Sequence, residues 1–389
     1  MFFVGIDVSK YKHDIHIRTE DGSVIVDRMT ITNSISGFSE LLQKIDSISV
    51  CPEDTKIGLE STGHYSNNLA NFLCSNGKCV YLLNPMLVNN FRKGRTLRLT
   101  KTDSIDAKII ADMLMSCTEL KPYCPLVYHN SEIKSLTRFL FRRKKELQVQ
   151  KIHVTRLLTL LFPELESIVT NIHSTTVYTM LMEFPGMAYL RNANLRHLTS
   201  VVEKASYHAL GKVFAETIRR AASSSIGTSS EALSLELQST IRTIRSLTDE
   251  IDIIEKKLDE FCKDNKISLS TIPGMSNTQA ACIVSEIGDI SRFPSADCLL
   301  AYAGLSPSTK QSGTMDNHSA HMEKRGSRYL RHYILNTALT IRLHNPIFKQ
   351  YYDKKISEGK HYNVVMTHVA KKLVRLLFAM LNSGNSYQL

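Results

Sequence analysis

Tryptophan is absent from the 389 residues, and proline occurs only ten times. The eight cysteines (51, 74, 79, 117, 124, 262, 282 and 298) are scattered, with no C-x-x-C pair. That spacing excludes a zinc ribbon and a disulfide framework, and leaves small buried hydrophobes in a reducing compartment. No apolar run approaches the ~18 residues a membrane span needs. Asp7 interrupts the opening Met1-Phe2-Phe3-Val4-Gly5-Ile6 where a signal peptide would still be apolar. These absences predict a soluble, cytoplasmic chain. G-x-x-x-x-G-K-[ST], H-E-x-x-H and G-x-S-x-G are missing too, which speaks against a P-loop NTPase, a zincin and an α/β-hydrolase. With 43% hydrophobic residues the chain can build large cores, and its length suggests two or three domains.

Positive charge is present and concentrated. The formal net charge is +11, yet residues 301–389 carry +9 and residues 131–160 carry +6, leaving the remainder slightly acidic. Two basic blocks on an acidic background point to a polyanion, nucleic acid first, because Lys and Arg clusters release counterions from phosphate. Candidate phosphate contacts are Arg138, Arg142, Arg143, Lys144 and Lys145 in the first block. Lys310, Lys324, Arg325, Arg328, Lys371 and Lys372 are those in the second.

The first 125 residues alternate strands and helices. The patterns predict strands at 2–7, 13–18, 23–30, 56–60 and 79–83, and helices at 37–48, 64–74 and about 103–115. Strand, hairpin, helix, strand, helix, strand, helix fits an RNase H-like (RuvC-like) α/β sheet, and no Gly-rich loop supports the doubly wound competitor. A long basic helix is predicted from 131 to about 162, and a Ser-rich linker at 222–230. A heptad seam follows: Ile244, Ile251 and Leu258, with Leu247, Ile254 and Phe261 three residues on. It reads equally as a coiled coil or as a helix packed inside its own chain. Ile272-Pro273-Gly274-Met275 before a helix at 278–287 suggests a helix-hairpin-helix-like element. Residues 306–325 form a polar stretch, a length of loop that is usually functional or disordered. The boundaries expected are 1–125, a helical middle at 126–265, and a mostly helical C-terminal domain at 266–389.

Four acids stand out. Asp7 and Glu60 end strands, while Asp103 and Asp106, spaced i and i+3, extend the apolar stripe of Ala107, Ile110 and Leu114. Inward-facing carboxylates need a compensating cation, and Mg²⁺ is the hard, oxygen-seeking candidate used in phosphoryl transfer.

Val4-Gly5-Ile6-Asp7-Val8-Ser9-Lys10, Gly58-Leu59-Glu60-Ser61-Thr62-Gly63 and Lys101-Thr102-Asp103-Ser104-Ile105-Asp106-Ala107 resemble the acidic motifs of the DEDD insertion-sequence transposases, relatives of the Piv-type DNA invertases. Ile272-Pro273-Gly274, Ser285-Glu286-Ile287-Gly288-Asp289, Ala301-Tyr302-Ala303-Gly304-Leu305, Gln311-Ser312-Gly313 and Lys324-Arg325-Gly326 are similar to that family's second domain. The resemblance implies a DNA recombinase of the prokaryotic cytoplasm, at the nucleoid when acting. It implies Mg²⁺ held by Asp7, Glu60, Asp103 and Asp106, and a covalent phosphoserine link formed by Ser312. It also implies donor and target DNA, a structured guide (bridge) RNA, and a homo-oligomer, dimeric or tetrameric in synapsis. The readings that compete are a Piv-like site-specific invertase without guide RNA, a Mg²⁺-dependent Holliday-junction nuclease in which Ser312 is incidental, and a noncatalytic nucleic-acid-binding protein. His318 and His321 are read as polar loop residues, with general acids as the alternative reading.

Overall fold

β1 (Phe2–Val8) runs up the centre of a five-stranded mixed sheet in the computed structural model. β2 (Lys12–Thr19) and β3 (Val24–Thr32) return beside it, antiparallel in turn. β4 (Thr55–Glu60) and β5 (Cys79–Leu83) extend the sheet on the other side, parallel to β1. The resulting order β3-β2-β1-β4-β5 loosely resembles the RNase H sheet. The structure describes residues 1–49, 51–61, 65–95, 103–117, 120, 122–123, 128–307, 311–312, 315–316 and 322–388, and divides into two compact units, Met1–Tyr128 and His129–Leu389.

In the first unit, strand alternation sorts side chains onto two faces. Val4, Ile6, Ile15, Ile17, Ile57 and Leu59 pack with α1 (Ile35–Ile48) and α2 (Tyr65–Ser75). Phe3, Tyr81 and Leu83 face the other way, into a second cluster with Ile109, Ile110, Met113 and Leu114. Those last four lie on α4 (Asp103–Ser116), and α3 (Pro85–Arg95) adds Val88. Two glycines decide how closely α4 can approach. Gly5 and Gly58 are register partners on adjacent strands. A Cβ on Gly5 would lie 2.1 Å from the Ala107 carbonyl oxygen and 2.5 Å from the Ala111 nitrogen. The bare strand backbone is therefore the floor on which α4 rests.

α3 is not anticipated from the sequence pattern, where Asn84-Pro85 reads as the end of a strand. Both residues instead start a helix. The Asn84 side chain accepts from the Met86 N–H at 2.9 Å, and Pro85 takes the first helical position, where no N–H is needed.

The second unit is mostly helical, as expected. Its elements are α5 (Tyr128–Leu161), α6 (Leu165–Ile168), α7 (Thr175–Glu183), α8 (Met187–Asn192), α9 (Leu195–Ala205), α10 (Lys212–Ser223) and α11 (Glu231–Asp264). Beyond them lie α12 (Asn277–Ile287), α13 (Ala296–Tyr302), β6 (Gln311–Ser312), β7 (Met315–Asp316), α14 (Arg328–His344), α15 (Pro346–Ser357) and α16 (Tyr362–Ser383). Two long helices, α5 and α11, each feed two cores. Val154, Leu157, Leu237 and Ile241 belong to the core of α7–α10, whereas Leu140, Phe141, Ile254 and Leu258 belong to that of α12–α16.

The heptad seam is accounted for inside the chain. Ile244, Ile251, Ile254 and Leu258 belong to these two cores, and Leu247 is buried as well. Ion pairs Arg143–Glu250 (3.1 Å), Lys144–Glu255 (2.5 Å) and Arg156–Glu236 (2.7 Å) tie α5 to α11. The seam residues are packed within the chain, which favours the intrachain reading of the heptad. The helix-hairpin-helix-like turn also faces its own chain. Gly274, at φ +91°, packs on Ile341, Thr340 and His344 of α14. A capping box between Ser276 and Gln279 then takes the first donors of α12.

Candidate active site

Pairing of Ile6 with Leu59 places Asp7 and Glu60 next along adjacent parallel strands, at their carboxyl ends. Asp7 shares the α4-facing side with Gly5, two residues back. Asp106 stands on the first turn of α4 and is only 8% exposed. A cavity of about 260 Å³ is lined by Glu60, Pro85, Val88, Asn89, Arg92 and Asp106. Three of the four anticipated acids are thus carried to one end of one face. Asp103 opens α4, but its side chain lies outside the described residues. Among the described residues no three His, Cys, Asp or Glu side chains are grouped as a metal site.

The cavity holds one cation that the sequence reading did not single out. Arg92 Nη1 donates to Asp106 Oδ1 at 3.3 Å, and Arg92 Nη2 donates to Asn89 Oδ1 at 2.8 Å. Both come from α3, the helix whose start was read as a strand end. A buried carboxylate requires a counter-charge, and here a guanidinium supplies it. The donor set is hard carboxylate oxygen throughout, which suits Mg²⁺ better than a thiophilic metal.

Asp14 and Asp112 share this face and are also missed by sequence. Asp14, the register partner of Asp7, accepts from Thr30 Oγ1 at 2.6 Å and pairs with Lys12 at 3.4 Å. Asp112 pairs with Arg18 across β2 and α4. Their charges are met locally, so both serve the sheet–helix packing.

In the second unit the expected serine segment is a short β6–β7 pair, with Ser312 opposite Met315. The Ser312 side chain, Lys310, His318 and His321 lie outside the described residues. The stem of the segment is well defined. Pro307 bridges Met322, and the Glu323 N–H donates to the Ser306 carbonyl at 2.9 Å. Two glycines let the neighbouring motifs interlock. Gly326, at φ +103°, would set a Cβ 2.2 Å from the Tyr302 carbonyl oxygen, and Gly304 one 2.4 Å from that of Arg325.

Glu286 anchors this stem. It is fully buried on α12 and accepts from Arg138 Nε at 2.6 Å, Arg138 Nη2 at 3.1 Å and Ser327 Oγ at 2.9 Å. The hydrogen bond that Arg138 donates to Glu286 raises the Arg138 pKa above its ordinary value. Ser327 also caps α14 by accepting from the Leu330 N–H. One carboxylate therefore joins α5, α12 and α14.

The basic candidates divide accordingly. Arg138 is committed to Glu286, Arg143 to Glu146 and Glu250, and Lys144 to Glu255. Arg142 and Lys145 are exposed and lie over the rings of Phe139 and Phe141. Lys324, Arg325 and Arg328 are exposed around the stem. The Tyr329 phenol is held below its ordinary pKa by a hydrogen bond from Arg328, then by the Arg328, Arg138 and Arg142 charges. Lys372 packs over the rings of Phe348 and Tyr351, and Lys371 lines a second cavity.

Comparison with known proteins decides the family. A DEDD IS110 transposase model matches residues 4–163, and a model described as "Transposase IS116/IS110/IS902 family" matches residues 267–353. The chain belongs to the IS110/Piv insertion-sequence transposase superfamily. The family-level activity is transposition or recombination of DNA. An "Insertion element IS110 uncharacterized 43.6 kDa protein" of Streptomyces coelicolor is 25% identical, over 99% of this chain and 95% of its own length. A "Pilin gene-inverting protein" of Moraxella lacunata is 23% identical, over 99% and 97%. Thermus thermophilus RuvC is 12% identical over 32% of this chain and all of its own, with a TM-score of 0.24. No helix among the described residues is long and apolar enough to cross a membrane.

Proposed function

We propose that this transposase-family chain is a site-specific recombinase that breaks and rejoins DNA strands through Ser312, with Mg²⁺ held by Asp7, Glu60, Asp103 and Asp106. The observation that carries the reading is the register of β1 and β4. It delivers Asp7 and Glu60 to one strand end on the face that Asp106 of α4 shares. Bound there, Mg²⁺ would supply Lewis-acid activation of a phosphate or hydroxyl oxygen. Arg92 would hold Asp106 in place until the cation and the phosphate arrive. The Ser312 hydroxyl would attack the scissile phosphorus, the 3′ or 5′ oxygen would leave with the proton, and a second strand's hydroxyl would reverse the step. In this reading residues 1–125 supply the acids, 126–265 the helical support and 266–389 the nucleophile, with more than one protomer in the synapse.

A gene-inverting recombinase is preferred to an RNA-guided one. The pilin gene-inverting proteins align over 97% of their own length. A structured guide RNA remains the extra partner of the second reading, favoured by exposed Arg142, Lys145, Lys324 and Arg325 beyond the acidic site. A Mg²⁺-dependent junction nuclease is the third.

The test is to express the gene with its flanking DNA, quench in SDS, capture the protein under denaturing conditions and sequence attached DNA. Attached DNA on the wild type, lost in Ser312→Ala and Asp7→Ala, is the expected result. Asp7-dependent cutting without an adduct would overturn the serine step in favour of hydrolysis. Loss of the adduct after depleting co-purifying RNA would move the assignment to the guided reading.

A further inference from the structure

The second cavity lies where the stem of the serine segment meets α16. One wall is Leu305, Pro307 and Met322, and the opposite wall is Val364, His368 and Lys371, enclosing about 300 Å³. Its chemistry is two-sided. The stem wall is apolar, whereas α16 contributes a lysine and an imidazole one turn apart.

Among the described residues no acid is paired with that positive wall. Lys371 is half-buried and, among the described residues, makes no ion pair; burial pushes its pKa down, and Arg375 adds to the effect. His368 is likewise lowered, by burial first and then by Lys360, Lys371 and Lys355, with Glu358 opposing. Glu358 itself is taken by Lys355 and Lys360 at 2.8 and 2.9 Å. A partly desolvated cation without a counter-ion is unfavourable, and an anion entering the cavity would relieve it. A bare phosphate would satisfy Lys371 but leave Pro307 and Met322 wet. The volume is at the lower end of small-ligand sites, about 300–1,000 Å³, and too narrow for a duplex. An anion joined to a flat apolar group matches both walls: a single nucleotide.

We propose that this cavity receives one nucleotide drawn out of the DNA stack, its phosphate at Lys371 and His368 and its base against Pro307, Met322 and Val364. The choice of DNA over RNA rests on the recombinase reading above; the nucleotide chemistry does not. Enzymes that act on a nucleic-acid strand commonly extrude a nucleotide and hold it in such a pocket. Pro307 and Met322 also bridge each other and close the stem from which the Ser312 segment projects. A seated nucleotide would therefore press on the base of the nucleophile segment and fix its register on the strand.

Absence of tryptophan makes the test clean, because Val364 stands at the mouth and is 47% exposed. Val364→Trp would plug the cavity without disturbing the core. The probe is a single-stranded thymidine oligonucleotide carrying one 2-aminopurine, added to the full chain at fixed ionic strength. Wild type is expected to change the 2-aminopurine emission on binding, and Val364→Trp to abolish that change while still binding DNA. Lys371→Gln should weaken binding roughly tenfold, as for loss of a charge-assisted hydrogen bond, and lower the salt slope by about one. Lys371→Arg should restore most of the affinity. Unchanged emission and affinity in both Val364→Trp and Lys371→Gln would overturn the proposal. So would an emission change produced by an RNA oligonucleotide carrying one 2-aminopurine but not by the DNA probe. If Val364→Trp fails to fold, by circular dichroism, Lys371→Gln decides alone. Ser312→Ala should keep the emission change. An intact change with no covalent adduct in any variant would count against the recombinase reading only, and an adduct without the change against the cavity only.

Discussion

Arg92 Nη1 lies 3.3 Å from Asp106 Oδ1, so the charge of this buried acid of the candidate site is met by a side chain of the same unit. Mg²⁺ bound as proposed would compete with Arg92 for the same oxygen. Replacing Arg92 by Ala should cost about 1 kcal/mol without metal, the loss of one partly buried charge-assisted hydrogen bond. In exchange, Arg92→Ala should gain a larger stabilisation from millimolar Mg²⁺ than wild type does. Thermal melts of both proteins, with Mg²⁺ and with EDTA, measure this directly. An identical Mg²⁺ response in the two would sink the competition.

Gly5 and Gly58 form a registered pair beneath α4, but they are not equivalent. A Cβ at Gly5 meets backbone atoms at 2.1 and 2.5 Å, whereas one at Gly58 meets the Leu114 and Ile110 side-chain ends at 2.8 and 3.0 Å. Side-chain tips can move and helix backbone cannot. Gly5→Ala should therefore destabilise the first unit by about 3 kcal/mol, at the upper end of overpacking costs, and Gly58→Ala by about 1 kcal/mol. Urea denaturation of the two variants would test the ranking. Equal costs would mean that α4 rides on something other than the glycine floor.

Much of this unit was legible because its signals are local. β5 spans Cys79–Leu83 as the apolar run predicts, and α4 begins at Asp103. The acids announce themselves by position at strand ends. Arg92 and Asn89 were not legible, because their importance comes from a helix whose Asn84-Pro85 start imitates a strand stop. Arg138 shows the opposite failure: a charge run reads as nucleic-acid binding until Glu286, 148 residues away, is seen to accept from it. The α11 seam was ambiguous for a similar reason, since heptad spacing reports that a face is buried and not by whom. Sequence periodicity cannot name a partner that lies elsewhere in the same chain.

Glu286 gives a strong stability test in the second unit. It is buried, yet it receives two guanidinium hydrogen bonds and one from Ser327. Glu286→Ala would leave Arg138 unpaired and the cap of α14 loosened, costing about 3 kcal/mol, the low end for a broken buried pair because Arg138 is partly exposed. Glu286→Gln keeps the shape and should cost about half as much. Chemical denaturation followed by far-ultraviolet circular dichroism would compare them. A cost below about 1 kcal/mol for Glu286→Ala would show that the lock contributes little.

His332 sets a pH dependence whose sign can be worked out. Its Nε2 accepts from Asn336 Nδ2 at 3.0 Å, and burial, followed by Lys144 and Lys145, holds its pKa below the ordinary value. Burial lowers His13, His173 and His368 in the same direction. Below about pH 6.5 the unfolded chain binds protons that the folded chain refuses, so stability falls as pH falls through that value. Each such histidine contributes at most about 1.4 kcal/mol per pH unit between its unfolded and folded pKa. Denaturation at pH 7.5, 6.5 and 5.5 should show this loss, and His332→Gln should reduce its slope while leaving stability at pH 7.5 within about 1 kcal/mol of wild type. An unchanged slope in His332→Gln would mean that the imidazole takes up its proton in the folded protein as readily as in the unfolded one.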